Sequence, residues 1–336
     1  MEIDEGLYSR QIAVYGKNAM KSLASSNVLV IGFNTSALEL SKNLILGGIS
    51  DLYLISEQTI NKTDLSSNYY LKEEDINKNI LEVVYQKLSE LNPYVSLHIN
   101  EEHVFSEMDV VILVNDNLSL AKEINKKCRD NNNKFIWMNT YGLMGNVFCD
   151  FGEEFIIKDN NGEPLLTSIL SEITEDGTFI TIENNPHNLE VGDNFILTAV
   201  KGIDGVNNKQ LTIEKIIDRN TFIVKESMYE WDQYLSGGQI TQVKKEVMMN
   251  FKPLDISLNE PNLVNFDMDG YPLHNLFKKL LDYKEERNCL PNSWNKNDYK
   301  YFEDLDDYKY NWYFSATVEG KFLPVDSVIG SYTAQE

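Results

Sequence analysis

Between residues 27 and about 139, short and nearly continuous apolar runs alternate with amphipathic stretches. In order they read NVLVIG, TSALELSKNLILGG, DLYLI, EEDINKNILEVVYQKLSELN, VSLHI, MDVVILVND, LSLAKEINKKCRDNN and KFIWMN. Runs rich in Val, Ile and Leu with no polar alternation predict strands buried on both faces, and the intervening segments repeat their apolar residues at helical spacing. The rhythm is βαβ, which predicts a mostly parallel sheet with helices on both sides. Gly47 and Gly48 stop the first of these helices, and Pro93 follows the next by two residues, both where helix ends favour such residues.

From about Glu153 the pattern becomes alternating β-branched and polar residues broken by turn chemistry at Asn160-Asn161-Gly162, Asp176-Gly177, Gly202 to Gly205 and Asp218-Arg219-Asn220. The runs FITIEN, NFILTAV, QLTIEKI and TFIVKES predict short strands of an all-β insert, a small barrel or sandwich closing near Gly237-Gly238. Beyond Phe251 the chain is helix-prone and aromatic-rich, in PLHNLFKKLLDYKEERN and NDYKYFEDLDDYKYNWYFSATVEG, and predicts a small helical bundle. The final PVDSVIGSYTAQE predicts a helix entered at Pro324; with neither a cap nor a polar tail at Glu336, it suggests a piece of a longer polypeptide. The resulting division is 1–171 for the α/β domain, 172–250 for the β insert, 251–323 for the bundle and 324–336 for a helix returning to the first domain.

Composition narrows the classes of partner. The 336 residues suffice for two or three packed units, and 42% hydrophobic with 11% aromatic residues is ordinary for a globular protein. A net charge of −22 argues against nucleic acid, which is held by Lys and Arg neutralising phosphate. A basic protein partner suits it better. The N-terminus has no secretory pattern and no run is long enough to span a bilayer, so no membrane association is expected and the cytoplasm and nucleus are the expected locations. Cys128, Cys149 and Cys289 lie far apart without a CxxC pair, and His98, His103, His187 and His274 lack ligand spacing, so neither a disulfide framework nor a metal site is expected.

The stretch VLVIGFNTSALELSKN (28–43) is strand, turn and helix start, where a nucleotide-binding protein places its glycine-rich phosphate loop. Such a loop needs glycine for the tight turn, for backbone approach to phosphate and for helix packing. Here those places read Gly32, Asn34 and Ala37. A side chain at Asn34 disfavours an anion at this helix N-terminus, and Thr35 and Ser36 have the character of an N-cap. At the end of the second strand, where an acid takes the ribose hydroxyls, positions 56 and 58 are Ser56 and Gln58, with Glu57 between them.

With these residues in view, the chain resembles the N-terminal portion of the single-chain ubiquitin-activating enzymes, the E1 class. LYSRQIAVYGKNAMKSL is similar to their first helix and arm, and LSKNLILGGI, DLSSNYYLKEEDINKN, LNPYV, GLMGNVFCDFGEEF and GGQITQVK follow in order, over nearly all of 7–254. PVDSVIGSYTAQE is similar to the family's proline-led helix, while 255–320 match least. The resemblance implies a Rossmann-like, ThiF-type mostly parallel sheet, an inserted small all-β domain of the first catalytic cysteine half-domain type, and a C-terminal helical bundle.

That family has two adenylation halves, of which only the second binds ATP. In active halves the second strand leads to a D-x-D pair and then an N-R-Q-F run whose arginine contacts nucleotide phosphates. Here the pair falls on Ser56 and Gln58, and the run on Ser66, Ser67, Asn68 and Tyr69, so the resemblance implies the inactive half, with no cofactor bound to this chain alone. It also implies that Arg10 reaches in trans to the ATP of the active half, a role that suits a permanently charged, forked guanidinium. No cysteine lies in 172–244, so the thioester-forming cysteine would lie in a later region, and Cys149 reads as structural. ATP and Mg in the intact enzyme, ubiquitin, the active half and E2 conjugating enzymes are the implied cofactors and partners. A stand-alone regulatory subunit of a heterodimeric activating enzyme is the alternative, and an autonomous nucleotide-binding oxidoreductase or adenylyltransferase a third reading.

Overall fold

The computed structural model describes residues 4–101, 103–174, 176–226, 232–261, 270–305 and 311–336. The chain forms two compact units, one from 1–153 and 250–336, the other from 154–249.

The first unit is built on six strands, β1 (Asn27–Ile31), β2 (Asp51–Ile55), β3 (Ser96–Ile99), β4 (Val110–Val114), β5 (Lys134–Tyr141) and β6 (Met144–Asp150), in the order β3-β2-β1-β4-β5-β6. The first five are parallel and β6 returns antiparallel along β5, pairing Trp137 with Phe148. Side chains alternate between the two faces. Val28, Val30, Leu52, Leu54, Ile112, Val114, Ile136 and Met138 enter one core with α2 (Thr35–Gly47) and α3 (Ile80–Ser89), and Leu29, Val111, Leu113, Phe135 and Trp137 enter another with α4 (Leu118–Asn131). Burial on both faces is why these strands carry no polar alternation.

Each helix of this layer starts on an asparagine side chain that accepts from backbone N–H groups: Asn34 for α2, Asn79 for α3 and Asn117 for α4. The helix expected across 73–92 is therefore shorter, beginning only after Asn79, with a single 3-10 turn at Glu73–Asp75 before it. The first helix, α1 (Ser9–Leu23), breaks at Gly16, whose φ is +80°.

The bundle segment contributes α5 (Leu254–Asn259), α6 (Tyr271–Arg287), α7 (Lys296–Tyr299) and α8 (Asn311–Thr317); part of the aromatic stretch expected to be helical, 306–310, lies outside the described residues. Leu254 and Leu281 pack into the α4-side core, and Tyr141 joins Leu276, Leu280, Tyr283, Phe302 and Phe314 in a smaller one. The last helix, α9 (Leu323–Gln335), lies against α2 so closely that a Cβ on Gly330 would stand 2.4 Å from the Ser36 carbonyl oxygen. Only glycine fits at that crossing.

The second unit is a closed barrel of β8 (Thr167–Ile173), β9 (Thr178–Thr181), β10 (Asn194–Thr198), β11 (Gln210–Ile216), β12 (Thr221–Val224) and β13 (Gln239–Val243), ordered β10-β11-β12-β9-β8-β13. The sequence expectation set this insert at 172–250; its first barrel strand starts at Thr167. A ribbon of β7 (Phe155–Ile157) and β14 (Val247–Met249) stands outside the barrel. The barrel core packs the rings of Phe179, Phe195 and Phe222 with centroids 5.3–5.9 Å apart.

Candidate functional site

At the end of β1 the chain turns on Gly32, at φ +87°, where a Cβ would stand 2.7 Å from the carbonyl oxygen of Val114. Both the turn and the approach of β4 demand glycine here. Asn34 then closes the helix N-terminus from within. Its Oδ1 accepts from the Ala37 amide at 3.0 Å and from the Ser36 hydroxyl at 2.7 Å. The amide that a phosphate would use is already taken. Thr35 and Ser36, expected as the cap, are instead the buried first residues of α2, because the helix begins one position after Asn34. Ala37 is fully buried, in the third glycine's place.

The other replaced positions gather around the same turn. The Thr35 and Ser67 hydroxyls are 2.8 Å apart and both buried, which joins α2 to the run at 66–69. Two residues on, the Tyr69 hydroxyl donates to Glu39 Oε1 at 2.8 Å, while Lys42 bonds both Tyr69 and, at 2.9 Å, Glu39 Oε2. At the end of β2 the Ser56 amide donates to Asn100 Oδ1, the Ser56 carbonyl accepts from Asn79 and Asn100, and the Gln58 amide donates to the Ser56 hydroxyl. Most of the polar groups around this turn are bonded to protein, while Asn68 Nδ2 is buried without a partner among the described residues.

A cavity of about 280 Å³ remains, lined by Asn34, Ser56, Gln58, Asn115, Asp116 and Thr140 from the sheet side and by Leu290, 318–321 and Asp326 from the helical segment. That is at the low end of the roughly 300–1,000 Å³ of small-molecule sites. Asp116, Glu319 and Asp326 make its lining acidic, and its one cation, Lys321, is paired with Asp64. Burial pushes the Asp326 carboxyl up, against the hydrogen bond from Thr140 and the charge of Lys321, which pull it down. A carboxyl raised in this way favours the fold when protonated and weakens it once ionised, so it adds no binding power for an anion. Behind the rim, Lys284 donates to the Asn115 carbonyl at 2.8 Å, and burial lowers the pKa of its ammonium.

Arg10 does not line this cavity. It is exposed on the first turn of α1 and makes no ion pair among the described residues, since Glu5 pairs with Lys17 at 2.7 Å. Its neighbours are fixed. The Tyr8 hydroxyl accepts from Asn92 Nδ2 at 2.7 Å, the Tyr8 ring covers Gly48, and Gln11 Nε2 donates to the Leu46 carbonyl at 3.2 Å. The backbone at Arg10 is thus held while its side chain is left to solvent.

Beside Gln11 a second, larger depression of about 840 Å³ lies between α1, α2 and α9, with Tyr15, Met20, Leu44, Leu46 and Ala334 in its lining. Val14, Tyr15, Val328 and Tyr332 on these helices are all more than half exposed. Burial pushes the thiols of Cys128 and Cys149 up to about 12, which disfavours their thiolate forms, while Cys289 is exposed. No group of three metal-ligating side chains occurs among the described residues, and no helix among them is long and apolar enough to cross a membrane.

Sequence reasoning located Gly32, Asn34, Ser56, Gln58 and Ser67, and the structure brings the Asn34 turn, the Ser56 strand end and the Ser67 run together at the ends of β1 and β2. Asp64, Glu319, Lys321 and Asp326 were missed. They come from segments more than 250 residues apart, and only the expected helix at 324–336, returning to the first domain, hinted that the chain comes back here.

Comparison with known proteins matches residues 8–185 to the ThiF family, 174–244 to the ubiquitin-activating enzyme E1 FCCH domain and 245–305 to the ubiquitin-activating enzyme E1 four-helix bundle. The human ubiquitin-like modifier-activating enzyme 1 is 36% identical over 88% of this chain, and ubiquitin-activating enzyme E1 1 of Schizosaccharomyces pombe 37% identical over 78%. The same enzyme of Candida albicans is 32% identical over 90%. The chain spans 29% of the human relative, 26% of the fission-yeast one and 31% of the Candida one. The ThiF match covers the six-stranded sheet and runs on over the first barrel strands, the other two cover the rest of the barrel and the bundle segment, and the chain belongs to the ThiF family, carrying an E1-type barrel insert and bundle segment.

Proposed function

We propose that this chain is the N-terminal part of a ubiquitin-activating enzyme and serves it as the adenylation half that does not bind nucleotide. In the intact protein ATP and Mg would be held by the second half, ubiquitin's C-terminus would be adenylated there and passed to a cysteine of a later region, and E2 enzymes would dock on that region. The observation that carries this reading is Asn34: its side chain occupies the helix N-terminus that an ATP phosphate would need, at 3.0 Å from the Ala37 amide. The small acidic cavity and the closed strand end at Ser56 support it.

What this half offers is surface. The depression between α1, α2 and α9, of mixed apolar and amide lining, suits the packing of a second adenylation half, and the acidic chain, at −22, suits a basic partner such as ubiquitin. Arg10 would reach out of this unit toward phosphate held by the other half; its exposure on a turn pinned by Gln11 supports that reading. The reading implies action in the cytoplasm and nucleus.

The test uses the full-length protein. Arg10→Ala is expected to slow ubiquitin-dependent pyrophosphate exchange by about 100-fold, the scale of losing one charge-stabilising donor, with unchanged thermal stability. An unaltered exchange rate removes Arg10 from the reaction.

A further inference from the structure

The cavity at the end of β1 is walled by the connector from α8 to α9, and that connector is held by contacts of two kinds. The first is backbone against backbone. The Gly142 amide donates to the Gly320 carbonyl at 3.0 Å, and Gly142 lies at φ +58° where a Cβ would stand 1.9 Å from the Thr317 carbonyl oxygen. The connector is therefore pressed onto the turn between β5 and β6 with no room for any side chain. The second is an ion pair between Lys321 of the connector and Asp64, a residue 3% exposed.

Asp64 is itself fixed. Its Oδ2 accepts from the Asn61 amide at 2.8 Å, and its carbonyl accepts from the Asn68 amide at 2.9 Å. It thus heads the turn that carries Ser67 and Tyr69, whose hydroxyls bond Thr35 and Glu39 of α2. Lys321 grips the same loop from which the nucleotide-contacting arginine is missing, and two residues beyond it α9 begins its close run along α2.

We propose that the connector 318–322 is a built-in plug of this cavity and that the Asp64–Lys321 pair is its latch, so that the start of α9 is set by a segment of the chain itself. The inference goes beyond the activating-enzyme reading, because it concerns this unit alone and holds whatever the intact protein activates. The two partners differ in what their loss leaves behind. Without Lys321 a buried carboxylate stands uncompensated; without the Asp64 charge the lysine simply turns to solvent. Neutralising Asp64 as the amide keeps the acceptor for Asn61 and should release the plug selectively.

The experiment is limited proteolysis of the whole chain by trypsin, which cuts after lysine. Asp64→Asn is expected to speed cleavage between Lys321 and Phe322 by at least about ten-fold, with cleavage after the exposed barrel residues Lys201 and Lys209 unchanged, because opening of one segment sets its cleavage rate. An unchanged rate at Lys321 overturns the latch. Hydrogen exchange of Lys321→Met decides the matter independently of whether the Asp64 variant folds. The Gly142 amide, bonded to Gly320, should exchange at least about ten-fold faster while the Leu29 and Val111 amides of the sheet keep their rates. Equal acceleration of all three, or of none, would mean that the connector is not a separate plug.

Discussion

The barrel and the parallel sheet reach their folds by different means. Inside the barrel, fourteen buried apolar side chains among the described residues centre on Phe179, Phe195 and Phe222, and its strands join mainly through antiparallel neighbours. Apolar burial dominates there, and buried polar side chains such as Thr181 and His187 bond backbone carbonyls. The sheet unit has apolar cores on both faces, yet it also buries Asp64, Ser67, Asn125 and Asp150, each with a named partner. The difference teaches what burying polar groups asks of a sequence. Those that the fold desolvates around the strand ends mostly find partners within the chain, and the sequence there becomes specific through those pairings.

The comparison is broken most severely at Asp150. Its side chain is wholly buried, its two oxygens accept from Arg129 Nε at 2.7 Å and Nη2 at 2.8 Å, and Asn125 donates to it at 2.7 Å. Arg129 also bonds the Phe251 carbonyl and Asn125 accepts from the Leu254 amide, so one network ties the end of β6 to the returning chain. Arg129→Ala leaves a buried carboxylate unpaired and should cost the sheet unit about 4 kcal/mol. Urea denaturation followed by hydrogen exchange checks this: sheet amides should lose protection while barrel amides keep theirs.

Phe222→Ala is the converse. Removing a ring at 0% exposure from the barrel core should cost about 3 kcal/mol, confined to the second unit. Scanning calorimetry should show one transition moving down and the other staying. If both move together, the two units share cooperativity and the contrast fails.

Asn34→Ala is the finest probe. It removes the cap of α2 and should lower the stability of the sheet unit by about 1 kcal/mol, read as a shift of its thermal midpoint. A loss several times larger would mean that Asn34 does more than close the helix end.

Much of the sheet was legible because its strands are buried on both faces and therefore read as unbroken apolar runs such as VLVIG and VVILV. Strand β6 was not, because MGNVFCD lies at an edge, half-buried along most of its length, and carries neither a continuous apolar run nor a clean alternation. The altered phosphate loop was legible at Asn34, Ser56 and Ser67, since each stands where a fingerprint demands another residue. Which of them caps α2 was not, because a shift of one position in the helix start exchanges the roles of Asn34 and Thr35. The plug left no local trace at all. Asp64 and Lys321 meet across 257 residues, and the need for glycine at 142 and 330 arises only once a distant backbone lies against them.

The central claim, that this half keeps the architecture of a nucleotide site without its function, is tested most directly by titration calorimetry of ATP with Mg into the chain. The expected result is no heat of binding up to millimolar nucleotide. Saturable binding with a Kd of roughly 1 μM, worth about 8 kcal/mol, would contradict it and return Asn34, Ser56 and Ser67 to the list of ligand-contacting residues.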